Sequence, residues 1–233
     1  MSPRVVSAAE WVAARKELQA AEEEAVRNLQ QIASRRREMP AVRIEKDYVF
    51  ESPAGKASLL DLFEGRTQLI MQHFMFDPAW DEGCPVCSYQ ADSVGHLAHL
   101  HSHNTTFAAV SRAPISKIEP FRQRMGWDFP WYSSYGSDFN YDFHVTNDES
   151  VAPIQYNFRT AQELADRGEP FFARPGEQGG VSVFFRDGEA VLHTCSGYGL
   201  ITDLMCGNDM RLDLTPLGRQ DETVELRHHD KYA

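Results

Sequence analysis

The sequence predicts an α/β protein: a three-layer sandwich with a mixed central sheet, helices on both faces, and a long N-terminal helix in front. Three observations carry that expectation. Between Gln68 and Met125, short apolar runs bounded by turn residues alternate with helical patterns, the mark of βαβ units and a parallel strand pair. Further on, Val181-Ser182-Val183-Phe184-Phe185 and Ala190-Val191-Leu192-His193-Thr194 flank Asp187-Gly188, a strong hairpin signal. At the start, Ser7-Ala8-Ala9-Glu10 has the form of a capping box, in which Ser accepts from the backbone and Glu reaches back.

The first helix should run from this box to Met39-Pro40, because proline cannot continue a helix. Trp11, Leu18, Ala25 and Ile32 recur along it at heptad intervals with Leu29 beside them. Such a stripe faces either the body of the protein or a second copy, so a homodimer is one of two readings. Arg35-Arg36-Arg37 complement the carbonyl end of the helix dipole. Then Tyr48 to Glu51 reads as a short strand, Pro53-Ala54-Gly55 as a turn, Ser58 to Phe63 as a helical turn and Gln68 to Phe76 as a buried strand. Ser88 to about His103 has helical composition, Phe107 to Val110 is a strand, and Ile115 to Met125 is a helix closed by Gly126. Trp131-Tyr132-Ser133 is a further strand, and a helix near Leu200 to Cys206 follows the hairpin. The expected organisation is a helical extension over 1–40 and one α/β domain over 41–233, with an aromatic-rich insertion at about 135–178.

Composition narrows the function classes. The 233 residues carry a formal net charge of -11 and no basic stripe, which argues against a nucleic-acid partner. No run approaches the roughly 20 apolar residues that cross a bilayer, so no membrane partner is expected. Met1-Ser2-Pro3-Arg4 leads into a polar helix without the apolar core of a secretory signal, and the expected location is the cytoplasm. Of the 4 cysteines, Cys195 and Cys206 lie far from Cys84 and Cys87, unlike a secreted disulfide framework.

The chemistry centres on Gly83-Cys84-Pro85-Val86-Cys87. This CxxC follows a buried strand and opens a helix, with Pro85 at a first-turn position where its missing N–H costs nothing. Cys84 then occupies the N-cap, where free backbone N–H groups and the positive dipole end favour a thiolate. Cys87, one turn later, is placed to resolve a mixed disulfide. That layout is thioredoxin-like and predicts a thiol–disulfide oxidoreductase acting on a small-molecule or protein thiol or disulfide, with no cofactor required. His73, in the strand feeding the motif, is a candidate to take the proton from Cys87; a hydrogen-bonded core histidine is the competing reading. His96, His99, His101 and His103 cluster downstream, and on one continuous helix His96, His99 and His103 would share a face. The alternative function is therefore a metal-dependent redox enzyme or metal carrier holding copper, iron or zinc through Cys84, Cys87, His99, His103 and His144. The segment from Trp127 to His144 interleaves aromatic with polar residues, and Trp131, Tyr135, Asp138, Asn140 and Asp142 are candidates to line a substrate pocket.

Several motifs together carry a resemblance: His73-Phe74-Met75-Phe76 ahead of the CxxC, Ser111-Arg112-Ala113-Pro114, Met125-Gly126-Trp127, the run from Gly136 to Val145, and Leu212 to Arg219. In these the chain resembles, over nearly its whole length, the family catalogued as domain of unknown function 899. The resemblance implies a thioredoxin-like fold and predicted dithiol–disulfide oxidoreductase activity, with Cys84 and Cys87 as the redox pair. It marks His73, Asp138, Asn140, Asp142 and His144 as motif residues without an assigned role. Gly179-Gly180-Val181 stands where thioredoxins place a cis-proline opposite the dithiol, which predicts a more open face beside Cys84. His101-Ser102-His103-Asn104 is rich in histidine, and Cys195 replaces a more usual aromatic.

Overall fold

The central strand of the molecule, Thr105–Ser111, is buried at every position, and its near-continuous run of small and apolar residues suits a strand covered on both faces. In the computed structural model, which describes residues 3–221 and 223–232, this is β5 of an eight-stranded sheet. The chain first forms α1 (Ala8–Arg37), then β1 (Val42–Arg43), β2 (Val49–Ser52), β3 (Gly55–Ser58) and, after a 3-10 turn, β4 (Gln68–His73). Next come α2 (Pro85–Ala91), α3 (Ala98–Ser102), β5, α4 (Ile115–Arg124) and β6 (Trp131–Ser133). The insertion holds α5 (Phe139–Asp142), β7 (Thr146–Asn147), β8 (Gln155–Tyr156), β9 (Arg159–Thr160), α6 (Ala161–Asp166) and β10 (Gly176–Glu177). The hairpin β11 (Gly180–Asp187) and β12 (Ala190–Tyr198), a 3-10 segment over Gly199–Met205 and α7 (Gly207–Leu212) complete the order.

The strands lie in the order β1-β12-β11-β4-β5-β6-β2-β3, with β4, β5 and β6 mutually parallel and the remaining pairs antiparallel. The four strands β12-β11-β4-β5, with helices crossing from β4 to β5 and a closing antiparallel hairpin, have the thioredoxin topology, so the expected fold class is the observed one. Side chains alternate along β4. Leu69 and Met71 face one core with Val110, Phe139, Phe143, Tyr156 and Leu164, built largely from the insertion. Phe107 and Ala109 of β5 face the other, with Phe74, Cys87, Ile118, Phe121, Trp127 and Trp131 beneath α2 and α4. Among the described residues no helix is long and apolar enough to cross a membrane.

Two local expectations change. The helix expected from Ser88 to about His103 is broken: α2 ends at Ala91 and α3 starts only at Ala98, across Asp92, Ser93 and Gly95. Asp92 accepts from the Trp127 indole, and His96 Nδ1 accepts from the Ala98 amide, so both groups serve the break rather than a helix. The segment expected to turn helically from Ser58 instead ends the β2–β3 hairpin and leaves only Asp61–Phe63 as a 3-10 turn. At the N-terminus, the Ser7–Glu10 capping box forms and α1 runs its full expected length, yet none of its residues is buried. Met1 and Ser2 of the leading stretch lie outside the described residues.

Candidate active site

The strand β4 runs through Phe74 into a loop that returns the chain to the sheet at Cys84, whose amide donates to the Met75 carbonyl (3.0 Å). The Met75 amide in turn faces Cys87 Sγ at 3.4 Å, so one residue of the strand end holds both cysteines. Gly83 is required by close packing: a Cβ there would stand 2.6 Å from the Phe74 ring and 2.8 Å from Phe121. Cys84 is the N-cap of α2, with Pro85 in the first turn, and Ser88 Oγ donates to its carbonyl (2.9 Å). Gln72, inside the sheet, donates to the Cys87 carbonyl (3.2 Å) and to Gln90 Oε1 (2.8 Å), and Gln90 donates onward to the Thr202 carbonyl. The helix carrying the dithiol is thus anchored from below by buried amides.

The two thiols are tuned apart. Cys84 is lowered to about 7, first by the hydrogen bond from the Cys87 thiol and then, against burial, by the amides of Cys87 and Val86. Cys87 is pushed well above the ordinary thiol range by that same bond, by full burial and by the Cys84 charge, with Cys206 adding to the rise. All four cysteines are free, Cys84 partly accessible and Cys87 buried. One thiol therefore ionises near neutral pH while its neighbour keeps its proton.

Across from the pair, a Cβ on Gly179 would lie 3.8 Å from Cys87 Sγ. No cis peptide bond occurs among the described residues, and Gly179 presents bare backbone where thioredoxins carry a proline ring. The Gly179 carbonyl accepts from Tyr156 (2.8 Å), and Gly180 packs so closely on Tyr198 that a Cβ would meet its ring at 2.7 Å. Arg112, directly after β5, ties this loop to the cysteine loop: it donates to Glu177 (2.7 Å), Asp77 (3.1 Å) and Tyr141 (2.6 Å). Burial pushes the Glu177 carboxyl up and Arg112 pulls it back. The tail adds a latch, with His228 donating to the Gly83 carbonyl (2.8 Å) and Lys231 and Arg124 pairing with Glu82. Gln72, Gln90, Glu177 and His228 were not singled out from sequence, and Arg112 entered only as part of the Ser111–Pro114 motif without a role. For Gln72 a signal existed, an amide inside an otherwise apolar strand.

The other expected residues lie elsewhere. His73 points to the opposite face from Gln72, its ring tilted over Phe139 and Phe143, and bonds Ser182 Oγ at 2.7 Å. The line continues from Ser182 to Ser196 and His193, each step 2.7 Å, and no hydrogen bond joins His73 to either cysteine. Burial lowers His73 to about 3, so it is neutral. Of the metal set, His103 donates a ring N–H to the His99 carbonyl at α3, and His144 follows α5 in the insertion over the far face. The break after α2 separates His96 from the His99–His103 pair. Among the described residues no three His, Cys, Asp or Glu side chains assemble into a group that could hold a metal ion, so this set does not fit copper, iron or zinc. The aromatic segment divides between both cores instead of walling one pocket. Trp131 is buried and donates to Ser111, Tyr135 is exposed, Asn140 joins Ser134, and Asp138 and Asp142 both pair with Lys46.

Among curated proteins none matches the chain. Among solved structures it is similar to peroxidoxin BcpB from Mycobacterium tuberculosis, at 12% identity over 67% of this chain and 86% of that one, with a TM-score of 0.43. It is similar to a mutant of PrxQ from Xylella fastidiosa at 12% identity over 74% and 94%, TM-score 0.46. It is also similar to a putative protein disulfide isomerase from Bacteroides thetaiotaomicron at 13% identity over 74% and 91%, TM-score 0.40. A family model described as "Bacterial protein of unknown function (DUF899)" matches residues 1–232, and the chain belongs to that family.

Proposed function

We propose that the protein is a thiol–disulfide oxidoreductase that reduces a small-molecule or protein disulfide with the Cys84–Cys87 dithiol. The observation that carries this reading is the split between adjacent thiols, Cys84 lowered to about 7 at the mouth of α2 and Cys87 held up behind it. Cys84 thiolate attacks one sulfur of the substrate, forming a mixed disulfide and releasing the other sulfur as a thiolate. Charge then leaves Cys84, so the effect that holds the Cys87 proton is relieved. Cys87 gives up that proton to solvent, its sulfur attacks Cys84, and the second substrate thiol departs. Two electrons pass from the dithiol to the substrate, and an external thiol reductant restores the pair. Gly179 sets bare backbone beside Cys87, where a substrate chain can pair with it as the mixed disulfide forms.

Differential alkylation with mass-spectrometric mapping tests this in a dithiothreitol redox buffer. Cys84 and Cys87 should convert together between two thiols and one disulfide, and Cys84→Ser should reduce disulfide turnover to background. Alkylation of Cys84 in the reduced protein should rise with pH around a midpoint near 7, since the thiolate reacts, while Cys87 stays slow. A Cys84→Ser protein that keeps its turnover refutes the proposal.

A further inference from the structure

A cavity of about 920 Å³ opens on the α2 face of the sheet, beyond the end of that short helix and apart from both cysteines of the dithiol. Its size lies at the upper end of small-molecule sites, roughly 300–1,000 Å³. The floor is a row that crosses four strands: Cys195 pairs with Val183, Val183 with Ile70 and Ile70 with Phe107. Leu100, Leu204 and Met205 form apolar walls, and Ile201 and Leu204 remain exposed at the mouth. The cause is visible in the chain: α2 stops at Ala91, and the sheet beyond it is left unroofed. Arg36 and Arg37 from the end of α1, with His96 and His99, stand at the lining, which includes neither Asp nor Glu. In a chain of net charge -11 that is a local reversal of sign.

We propose that this cavity binds a free amphiphilic carboxylate of the fatty-acid type. The apolar body lies on the Ile70–Val183 floor, where burying it removes apolar surface from water. The carboxylate meets Arg36 and Arg37, whose guanidinium groups match its planar pair of oxygens. A neutral apolar ligand would leave the cationic rim unused, and an acidic peptide would leave the floor wet. Cys195, half-buried in the floor, is a built-in reporter of occupancy.

The test uses the reduced full-length chain with decanoate and 1-decanol as probes, read by titration calorimetry and by the alkylation rate of each cysteine in peptide maps. Decanoate should bind one-to-one and slow alkylation of Cys195 without changing that of Cys84. 1-Decanol on the unaltered protein, and decanoate on R36Q/R37Q, should each bind about ten-fold more weakly, the loss of one charge-assisted contact. Val183→Trp, checked for native far-UV ellipticity, should abolish binding by filling the floor. Equal affinity for acid and alcohol, no heat and no protection, or Cys195 protection that follows protein concentration instead of decanoate would each overturn the proposal, the last in favour of a second copy as occupant. Because Cys84 is the internal control, these failures are distinct from a failure of dithiol exchange.

Discussion

Gln72 and His73 are neighbours on β4, point to opposite faces of one sheet, and show two ways of using a buried polar group. On the α2 face, Gln72 and Gln90 hold a helix whose Cys87 thiol, and then its first-turn amides, lower Cys84 to about 7. On the far face His73 begins a closed line through Ser182 and Ser196 to His193. Both titrating groups fall below their ordinary values, for opposite reasons. Cys84 falls because its charged form is hydrogen-bonded; His73 falls because its charged form is desolvated. The first effect favours a thiolate at neutral pH, the second a neutral imidazole. Proximity to the CxxC in sequence therefore does not bring His73 into contact with the cysteines.

The largest effect that would break this contrast is in the aromatic bed under the dithiol. Phe74 lies 4.4 Å from the Trp131 ring centroid, contacts Trp127 and Phe121 edge-on, and fills the space that Gly83 leaves. Phe74→Ala should cost about 3–5 kcal/mol in urea unfolding, the range for truncating a buried aromatic. It should also loosen the cysteine loop, slowing Cys84 alkylation at pH 7 as the thiol drifts back toward its ordinary value. Unchanged reactivity with lost stability would mean that α2, not the bed, sets the thiol.

On the other face the expected effect is smaller and appears only in acid. His73 titrates at 6.5 when unfolded and at about 3 when folded, so below 6.5 the unfolded state takes up the proton first. Its contribution to stability is complete above pH 6.5 and is lost as pH falls toward 3. Between pH 7.5 and 5 this one group should remove about 2 kcal/mol. His73→Phe, which keeps a ring over Phe139 and Phe143, should flatten that part of the pH profile while leaving Cys84 alkylation unchanged. If Cys84 reactivity shifts instead, the two faces are coupled and His73 regains a part in the proton transfer.

What sequence could reveal follows from how local each cause is. The capping box, Pro85 in the first turn of α2, Gly126 after α4 and the β11–β12 hairpin all act within a few residues and were readable. The period-two pattern of β4 separates Gln72 from His73, but which face α2 would cover depends on the crossover to β5, a non-local choice. The helix break after Ala91 was hidden because Asp92 and His96 are committed by partners distant in the chain or by the break itself. Likewise the aromatics from Trp127 to His144 look like one cluster in sequence and are dealt to two cores in space. Arg112 stood only in the Ser111–Pro114 motif, without a role, and His228 in no motif, since each bridges loops that only the fold brings together.

The smallest expected effect concerns α1, the region least like the rest. Its capping box is complete, Glu10 accepting from the Ser7 amide at 2.9 Å, yet Trp11 is 60% exposed and no residue of the helix is buried. A helix held by its own backbone and cap, not by packing, should fray without consequence for the domain. Ser7→Ala should thus lower far-UV helicity slightly and leave the urea midpoint of the domain, followed by tryptophan fluorescence, where it was. A midpoint that moves with the cap, and moves further as protein concentration falls, would mean that the Trp11–Ile32 stripe is covered by a second copy, because stability would then be linked to association.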